Sequence, residues 1–335
     1  MKYLKLFEVK NVIKREVNNI ALKLPGGIRK YLKDYEYSER KKSLGKLYPD
    51  KTFYVIRLKP ISSSIGVLVR LTCHKLQECD SKGYIPVIDF SYNKNVYLEE
   101  DEIGKINPWE YFFEQPTMFS TRAVYHAKNV IFGYINDKDS EYDEIIDNED
   151  KLKEYCAIYK KYIHISKRIE KKAESIYSQI IRPEWRVLGC VYRGTDYRNR
   201  KVVNEHRQPS IQEEIEKAKE LMDKWNCDHI FLATEDKGGL DAFRKAFNDK
   251  LVYVSKKRYP SDVTFTQKFR FKRKHDLYYK GEEYLMEIYI LSRCNCLLSS
   301  RVGILGTALP MNNQKYEHKY IYDLGIYTEE DYNLK

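Results

Sequence analysis

The sequence predicts an α/β protein of two domains, each built around a doubly wound parallel sheet. Two observations lead to this prediction. Short apolar runs rich in β-branched residues alternate with amphipathic helical stretches, the pattern of strand–helix–strand units. The chain also has 335 residues, 42% of them hydrophobic, which is more than one core usually holds.

The first domain is predicted at 51–182, after a polar extension over 1–50 that packs on it. FYVIRL (53–58) predicts a strand. Residues 62–83 keep their apolar side chains at helical spacing and end at a glycine, and YIPVIDF (84–90) predicts the next strand. This strand–helix–strand unit favours a parallel sheet.

The pattern from 91 to 146 is irregular and contains the aromatic cluster NPWEYFFEQP (107–116). A charged periodic stretch over 148–180 predicts one or two long helices. Arg182-Pro183 follows as a natural break between domains.

The second domain is predicted at 183–335 and is more regular. Its strands are predicted at WRVLGCVYR (185–193), HIFLAT (229–234), LVYVS (251–255) and NCLLSS (295–300). Ser210 and Glu213 form a capping box that begins the first of the intervening helices. The last helix is short, and we expect it to be broken at Pro310.

The bulk composition limits partners and location without fixing them. Lys and Arg number 60 against 49 Asp and Glu, a formal charge of +11, which favours nucleotide sugars, phosphates, nucleic acid or acidic lipid headgroups. Seven cysteines without a CxxC pair indicate a reducing compartment and neither zinc nor disulfides. No signal peptide and no run of about 18 apolar residues is visible. We therefore expect a cytoplasmic protein, with peripheral contact at the inner face of an acidic membrane as an option.

Three strands of the second domain end in polar residues that packing would not select. In parallel α/β sheets, ligands bind beyond the carboxyl ends of the strands. The residues at these three ends are Arg193, Thr195 and Asp196; Thr234, Glu235 and Asp236; and Ser299, Ser300 and Arg301.

A diphosphate is the expected occupant of this edge. A strand that ends in Ser-Ser and turns into a helix presents backbone N–H groups and the positive end of a helix dipole. The guanidinium groups of Arg193 and Arg301 add positive charge, and Gly194 removes bulk where a ligand would approach.

Each of these residues also has a structural alternative. A serine there commonly caps a helix, and Arg193 could pair with Asp196. Glu235 and Asp236 could charge the start of the next helix. From its helical position alone, Glu287 is a solvated or paired carboxylate.

The remaining motifs leave several options open. The basic clusters KKRY (256–259) and KFRFKRKH (268–275) could bind phosphate chains, an acidic membrane or nucleic acid, or could form a solvated loop. His206 is a possible base. P-loop, HExxH, GxSxG and GxGxxG motifs are absent, which gives no support to ATPase, metalloprotease, hydrolase or dinucleotide dehydrogenase activity.

The ordered motifs of the second domain resemble the fucosyltransferase superfamily, which includes α1,6- and nodulation-factor fucosyltransferases. The resemblance covers about 185–310 and rests on strand–R-x-T-D, then strand–ATED, then a helix with an acidic residue and strand–SS. The first domain resembles bacterial polysaccharide-type relatives only loosely, through GYIPVIDF and NPWEYFFEQP.

This resemblance implies a GT-B fold, with two facing Rossmann-like domains and an interdomain cleft. It implies inverting, metal-independent transfer from GDP-fucose held by the second domain. By the resemblance, Arg193 grips the diphosphate, Asp196 orients its loop, Glu235 and Asp236 occupy the acidic pair, and Glu287 recognises the base. The full donor-binding set is Arg193, Thr195, Asp196, Glu235, Asp236, Glu287, Ser299, Ser300 and Arg301.

Two departures from the family pattern H-x-R-R-x-D leave the donor open. Val191 replaces the histidine that helps to recognise guanine, and Gly194 replaces the second arginine. Glu205 is the nearest candidate for the acceptor base. Trp109 and Tyr111 could stack on acceptor sugars, with core packing as the alternative.

The expected function is therefore an inverting glycosyltransferase that acts on a glycan or polysaccharide precursor. A lipid-linked acceptor is one option, no metal or other cofactor is expected, and no nucleic acid partner is expected. The alternatives are a GT-B transferase for another nucleotide sugar, or a non-catalytic protein that binds anions or nucleic acid.

Overall fold

The computed structural model describes residues 36–60, 63–135, 142–195, 201, 203–263 and 273–333. These residues divide into two compact units. The first unit contains 36–60, 74–109 and 115–135, and the second contains 63–73, 110–114 and the described residues from 142 onward.

The first unit contains a four-stranded sheet with the order β1-β4-β2-β3. Its strands are β1 (Arg40–Lys42), β2 (Leu47–Leu58), β3 (Ile85–Ile88) and β4 (Ala127–Ile135). Strand β2 pairs in parallel with β3 and β4, whereas β1 is antiparallel to β4. The two predicted strands are confirmed. The irregular structure predicted up to 146 is wrong at β4, whose apolar residues pair with the central strand β2.

The first unit also contains helix α2 (Thr121–Val124) and the second half of helix α1 (Ile65–Ser81), whose residues 65–73 belong to the second unit. Helix α1 confirms the predicted helix. Alternate residues of β2, among them Phe53 and Val55, form one hydrophobic cluster with Val130 and Phe132 of β4, and the intervening Tyr54 and Ile56 are buried as well. This alternation follows from the two-residue period of a strand.

The second unit contains a five-stranded parallel sheet with the order β7-β6-β5-β8-β9. Its strands are β5 (Val187–Val191), β6 (His229–Ala233), β7 (Leu251–Val252), β8 (Cys296–Ser300) and β9 (His318–Tyr322). The four predicted strands are confirmed, with β7 shorter than expected. The edge strand β9 was not predicted, because HKYIY is polar and partly exposed.

The helices of the second unit follow in chain order. They are α3 (Tyr142–Asp147), α4 (Glu149–Tyr162), α5 (Lys167–Ile180), α6 (Ile211–Lys224), α7 (Lys237–Phe247), α8 (Asp276–Leu291), α9 (Leu305–Asn312) and α10 (Glu329–Asn333). The capping box at the start of α6 is confirmed. The Ser210 hydroxyl accepts from the Glu213 N–H at 3.2 Å, and the Glu213 carboxylate accepts from the Ser210 N–H at 2.7 Å.

The division between the units does not follow the boundary predicted at 182/183. Helices α3 to α5 belong to the second unit. The reason is packing, because α4 packs on α9 and α5 packs on α8. Arg182-Pro183 separates α5 from β5 but does not separate the two units.

Helix α9 is not broken at Pro310 and continues to Asn312. A proline has no N–H, so the carbonyl four residues earlier loses its helical partner. Here that carbonyl belongs to Gly306, and it accepts a hydrogen bond from the Tyr155 hydroxyl of α4. A side chain from another helix thus replaces the missing backbone donor.

Candidate functional site

The order of the second sheet brings the predicted strand ends together. From β5 the chain goes to β6 and β7 on one side, and it returns to β8 and β9 on the other. The carboxyl ends of β5 and β8 therefore flank a topological switch point, the usual ligand position in such sheets. The described residues of the three predicted groups all lie at or just after the carboxyl ends of β5, β6 and β8. Asp196 lies outside the described residues.

Arg193, after β5, forms an ion pair with Glu235, after β6. The Thr195 hydroxyl donates to the same carboxylate oxygen at 2.9 Å. The Arg193 and Glu235 side chains are 24% and 19% exposed, so both charges are partly shielded from water. The two predicted donor-binding residues therefore neutralise each other.

Asp236 is a clamp between three loops and is only 2% exposed. Its Oδ2 accepts from the Thr195 N–H at 3.1 Å, and its Oδ1 accepts from the Gly239 N–H at 2.9 Å and from the Ser261 hydroxyl at 2.6 Å. Asp236 is thus the N-cap of α7, which confirms the structural alternative for this residue.

The space at Gly194 is used by the protein itself. A Cβ there would lie 2.1 Å from the Asp236 Oδ2. The prediction that Gly194 leaves room for a ligand is therefore wrong, since the room holds the Asp236 carboxylate. The adjacent Thr195 has a φ of 52°, an uncommon conformation for a β-branched residue, and its bonds to Glu235 and Asp236 stabilise it.

Glu287 lies on α8 and is only 2% exposed. The Lys256 ammonium lies 2.6 Å from its Oε2, and the Arg258 Nη2 lies 4.0 Å from its Oε1. Burial raises the pKa of Glu287, while the Lys256 ammonium opposes that shift without cancelling it. Glu287 is paired and not solvated. Its Oε1 has no hydrogen-bond partner among the residues that the structure describes.

Ser299 and Ser300 are buried at the end of β8. The Ser299 hydroxyl donates to the Ser300 carbonyl at 2.8 Å, and the Ser300 hydroxyl donates to Gln208. Helix α9 begins only at Leu305 and has no side-chain cap at Ile304. The expectation that a helix directly follows the serines is wrong, and so is the alternative that one of them caps it.

Arg301 is 8% exposed and is surrounded by carboxylates. Its guanidinium bonds to both Asp147 oxygens at 2.9 and 2.7 Å, to Asp143 at 3.0 Å and to Asp323 at 3.4 Å. These contacts raise the pKa of Arg301, chiefly through the Asp147 carboxylate. The structure therefore gives Arg301 three acidic partners in place of the predicted diphosphate.

Glu205 lies on a segment that pairs with the chain after β9. The Tyr327 N–H donates to the Glu205 carbonyl at 2.9 Å, and His206 forms a bridge with Ile326. The His206 Nε2 lies 3.1 Å from the Asp143 Oδ1. Since Gln208 bonds to Ser300, this segment borders the β8 end. The role of Glu205 as acceptor base stays a prediction.

The two predicted acceptor residues, Trp109 and Tyr111, belong to different units. Trp109 belongs to the first unit, is 3% exposed and packs edge-on against Phe90 at 5.6 Å between ring centres. The alternative that Trp109 packs in the core is therefore confirmed, and the prediction that it stacks on an acceptor sugar is wrong. Tyr111 belongs to the second unit and packs edge-on against Tyr278 at 5.4 Å.

Several charged residues of this region were not predicted. Lys256 and Arg258 stand in KKRY, for which a solvated loop was one option, yet each is only 7% exposed in its side chain. Asp143 and Asp147 were missed as well, although their i, i+4 spacing puts both on one face of α3. Most of KFRFKRKH lies outside the described residues.

The described part of the chain contains no group of three or more His, Cys, Asp or Glu side chains that could hold a metal ion. No helix in it is long and apolar enough to cross a membrane. The seven cysteines are all buried and free.

Comparison with known proteins gives matches among solved structures alone. No protein-family model and no curated protein matches the chain. Fucosyltransferase NodZ from Bradyrhizobium is 13% identical, with 77% of this chain and 92% of that chain covered and a TM-score of 0.48. A mutant of Arabidopsis thaliana FUT1 in complex with GDP is 10% identical, with 83% and 72% covered and a TM-score of 0.48. POFUT1 is 10% identical, with 82% and 98% covered and a TM-score of 0.46.

Proposed function

We propose that the protein is an inverting glycosyltransferase that takes its donor sugar from a nucleoside diphosphate, with GDP-fucose as the first candidate. The observation that carries the proposal is the parallel-sheet edge at the β5/β8 switch point. It combines Arg193 and Ser300 with the buried Glu287–Lys256 pair. The sequence motifs at these positions are those that resemble fucosyltransferases.

The open oxygen of Glu287 suits a nucleotide base. A buried acceptor without a partner is costly, and a base that presents N–H groups would satisfy it. Guanine presents two adjacent donors, N1–H and the amino group, whereas uracil and thymine present N3–H alone. One N–H is enough for a single oxygen, so Glu287 supports a base with such a donor, and the preference for guanine comes from the sequence motifs.

The transfer itself needs three elements. A base must take the proton of the acceptor hydroxyl, whose oxygen then forms the new bond to the sugar as the bond to the diphosphate breaks. Positive charge must stabilise the departing diphosphate, and we assign this to Arg193 without a metal. The acceptor must lie opposite the leaving group. Glu205 is the proposed base, and the acceptor is a glycan or polysaccharide precursor.

Val191 favours one alternative within the same chemistry. It stands where the family has the histidine that helps to recognise guanine, so a different nucleotide sugar is the second candidate.

A thermal-shift screen tests the donor. A ligand that binds only the folded state raises the melting temperature. We expect GDP and GDP-fucose to raise it more than UDP- or dTDP-sugars, with no effect of EDTA. We expect Glu287→Gln to lose the preference for GDP, and the matched variant Glu216→Gln, exposed on α6, to keep it.

Other outcomes separate the alternatives. Stabilisation by another nucleotide would keep the transferase and change the donor. A requirement for a divalent metal would overturn the metal-independent step. If no nucleotide stabilises the protein, the transferase proposal fails and a non-catalytic anion-binding protein takes its place.

A further inference from the structure

Arg57 differs from the arginines at the β5/β8 edge because no described carboxylate forms an ion pair with it. It is the penultimate residue of β2, at the carboxyl edge of the parallel strands of the first unit. Its guanidinium carbon lies 4.0 Å from the ring centre of Tyr92 and 4.0 Å from that of Phe132. Its Nε is buried without a hydrogen-bond partner among the described residues.

A chain of hydrogen bonds, called the relay below, holds the Arg57 guanidinium in place without pairing it directly with a carboxylate. The Arg57 Nη2 donates to the Tyr125 hydroxyl at 2.7 Å, and that hydroxyl donates to the Asp89 Oδ2. The Asp89 Oδ1 accepts from the Ser91 N–H at 3.1 Å and from its hydroxyl at 2.6 Å. Burial raises the pKa of Tyr125 well above its ordinary value, so the phenol keeps its proton. The nearest carboxylate of the relay is thus separated from Arg57 by the tyrosine.

The loop that carries Tyr92 is held in place by two buried asparagines. The Asn93 amide donates to the Leu58 carbonyl at 2.6 Å, and the Asn95 amide donates to the Phe90 carbonyl at 3.2 Å. Asn93 and Asn95 are 6% and 5% exposed, whereas Tyr92 is 41% exposed. The fixed loop therefore presents an aromatic ring to solvent directly beside the guanidinium.

We propose that Arg57 and Tyr92 form a binding site for an acceptor sugar that carries an anionic group, a carboxylate or a phosphate. The proposal rests on the transferase function proposed above. The planar guanidinium matches the paired oxygens of such groups, and the exposed ring offers an apolar face for the sugar. The position at the carboxyl ends of β2 and β3 is a usual ligand position in a parallel sheet. Trp109, buried in the core, does not offer such a surface.

The test observes the arginine directly. Protein labelled with nitrogen-15 arginine gives one Nε–H signal per arginine, and the Arg57 signal is the one that Arg57→Gln removes. The labelled protein is titrated with sodium glucuronate, glucose, glucose phosphate and inorganic phosphate, at constant ionic strength. We expect the Arg57 signal to move with glucuronate or with the phosphates and not with glucose. The anion that moves it identifies the anionic group.

Variants then measure the contribution of each side chain. We expect Arg57→Gln to weaken the affinity for the effective anion by about tenfold or more, the usual effect of losing a charged hydrogen bond. Tyr92→Ala should weaken it as well. Arg244→Gln is the matched control, because Arg244 also lies over a tyrosine ring and donates to its hydroxyl, but on α7 of the second unit. If Arg57→Gln does not fold, Arg57→Lys takes its place, with the same loss of signal and a smaller loss of affinity expected, since lysine keeps the charge without the planar fork.

Three results would overturn the proposal. These are an Arg57 signal that no anion moves, an equal response to glucose, and unchanged affinity in Arg57→Gln. All titrations are made without a nucleotide. Failure of GDP to stabilise the protein would therefore refute the proposed function and leave this anion site intact. Failure of every anion to move the Arg57 signal would refute the anion site and leave the proposed function intact.

Discussion

At the scale of single residues, the β5/β8 edge consists of charges that are already paired. Glu235 neutralises Arg193, and Lys256 neutralises Glu287. An anionic ligand must therefore compete with Glu235 for Arg193. The affinity for an anionic ligand at this edge therefore depends on a difference in free energy. It is the difference between the ion pair of the ligand with Arg193 and the ion pair of Glu235 with Arg193.

Arg193→Gln tests the diphosphate contact. We expect it to lower the affinity for GDP by about tenfold or more, since a charged hydrogen bond to phosphate is lost. Arg193→Lys should recover part of this loss, because it keeps the charge without the planar fork. The measurement is calorimetric titration with GDP. Equal affinity in wild type and Arg193→Gln would remove Arg193 from the donor site.

A second residue gives the stability of the fold a dependence on pH. Glu214 on α6 is fully buried, and the Cys190 thiol donates to its Oε1 at 3.4 Å. Burial raises the pKa of Glu214 to about 8. Since this value is above that of the unfolded chain, the folded state binds the proton more tightly. The contribution to stability is complete below the unfolded pKa and is lost as the pH rises through about 8.

Glu214→Gln should remove this dependence, since the amide has a similar shape and no charge. Relative to wild type, we expect the variant to gain stability at alkaline pH, by on the order of 3 kcal/mol. Urea unfolding of both proteins between about pH 5 and pH 9 measures the difference. Glu216→Gln, exposed on the same helix, is the control. Parallel pH profiles for wild type and Glu214→Gln would contradict the prediction.

At the scale of elements, α9 depends on a partner from α4. The Tyr155 hydroxyl bonds to the Gly306 carbonyl that Pro310 leaves without a helical donor. Tyr155→Phe should lower the free energy of unfolding by about 1–3 kcal/mol, the cost of a buried unpaired acceptor. Chemical denaturation measures the loss.

A double-mutant cycle separates this role from general packing. Pro310→Ala restores a backbone N–H, so Tyr155→Phe should cost less in that background than in wild type. Equal costs in both backgrounds would show that the hydroxyl and the proline act independently.

The sequence was most informative where signals are local. The capping box of α6 and the strands β5, β6 and β8 follow from neighbouring residues, and all are confirmed. Pro310 shows where sequence-based prediction fails. Helix α9 tolerates this proline because of a hydrogen bond from Tyr155, which lies more than 150 residues earlier in the chain. The strand β9 was missed because an edge strand with polar residues lacks the apolar alternation that identifies strands.

At the scale of the whole molecule, the net formal charge of +11 does not come from the β5/β8 edge. In the described part of the chain, the basic residues of the β5/β8 edge pair with carboxylates, as Arg193, Lys256 and Arg301 show. Such pairing was not predictable, since Arg301 and Asp143 lie 158 positions apart. The sheet edge itself was predictable, because parallel strands align their carboxyl ends.

We therefore expect little binding of nucleic acid. Fluorescence anisotropy of labelled single- and double-stranded oligonucleotides, measured from about 50 to 200 mM salt, checks this. The expected result is weak binding that is absent at the higher salt. Tight binding with a steep salt dependence would contradict it and favour the nucleic-acid alternative.

The Asp236 clamp has a consequence for transplanting specificity between proteins. One carboxylate holds the Thr195 backbone after β5, the start of α7 after β6, and Ser261 after β7. A chimaera that imports the β5 loop alone would bring a foreign backbone against this carboxylate, and any side chain at 194 would collide with it. The three loops therefore have to be exchanged together if specificity is to be transferred from one protein to another.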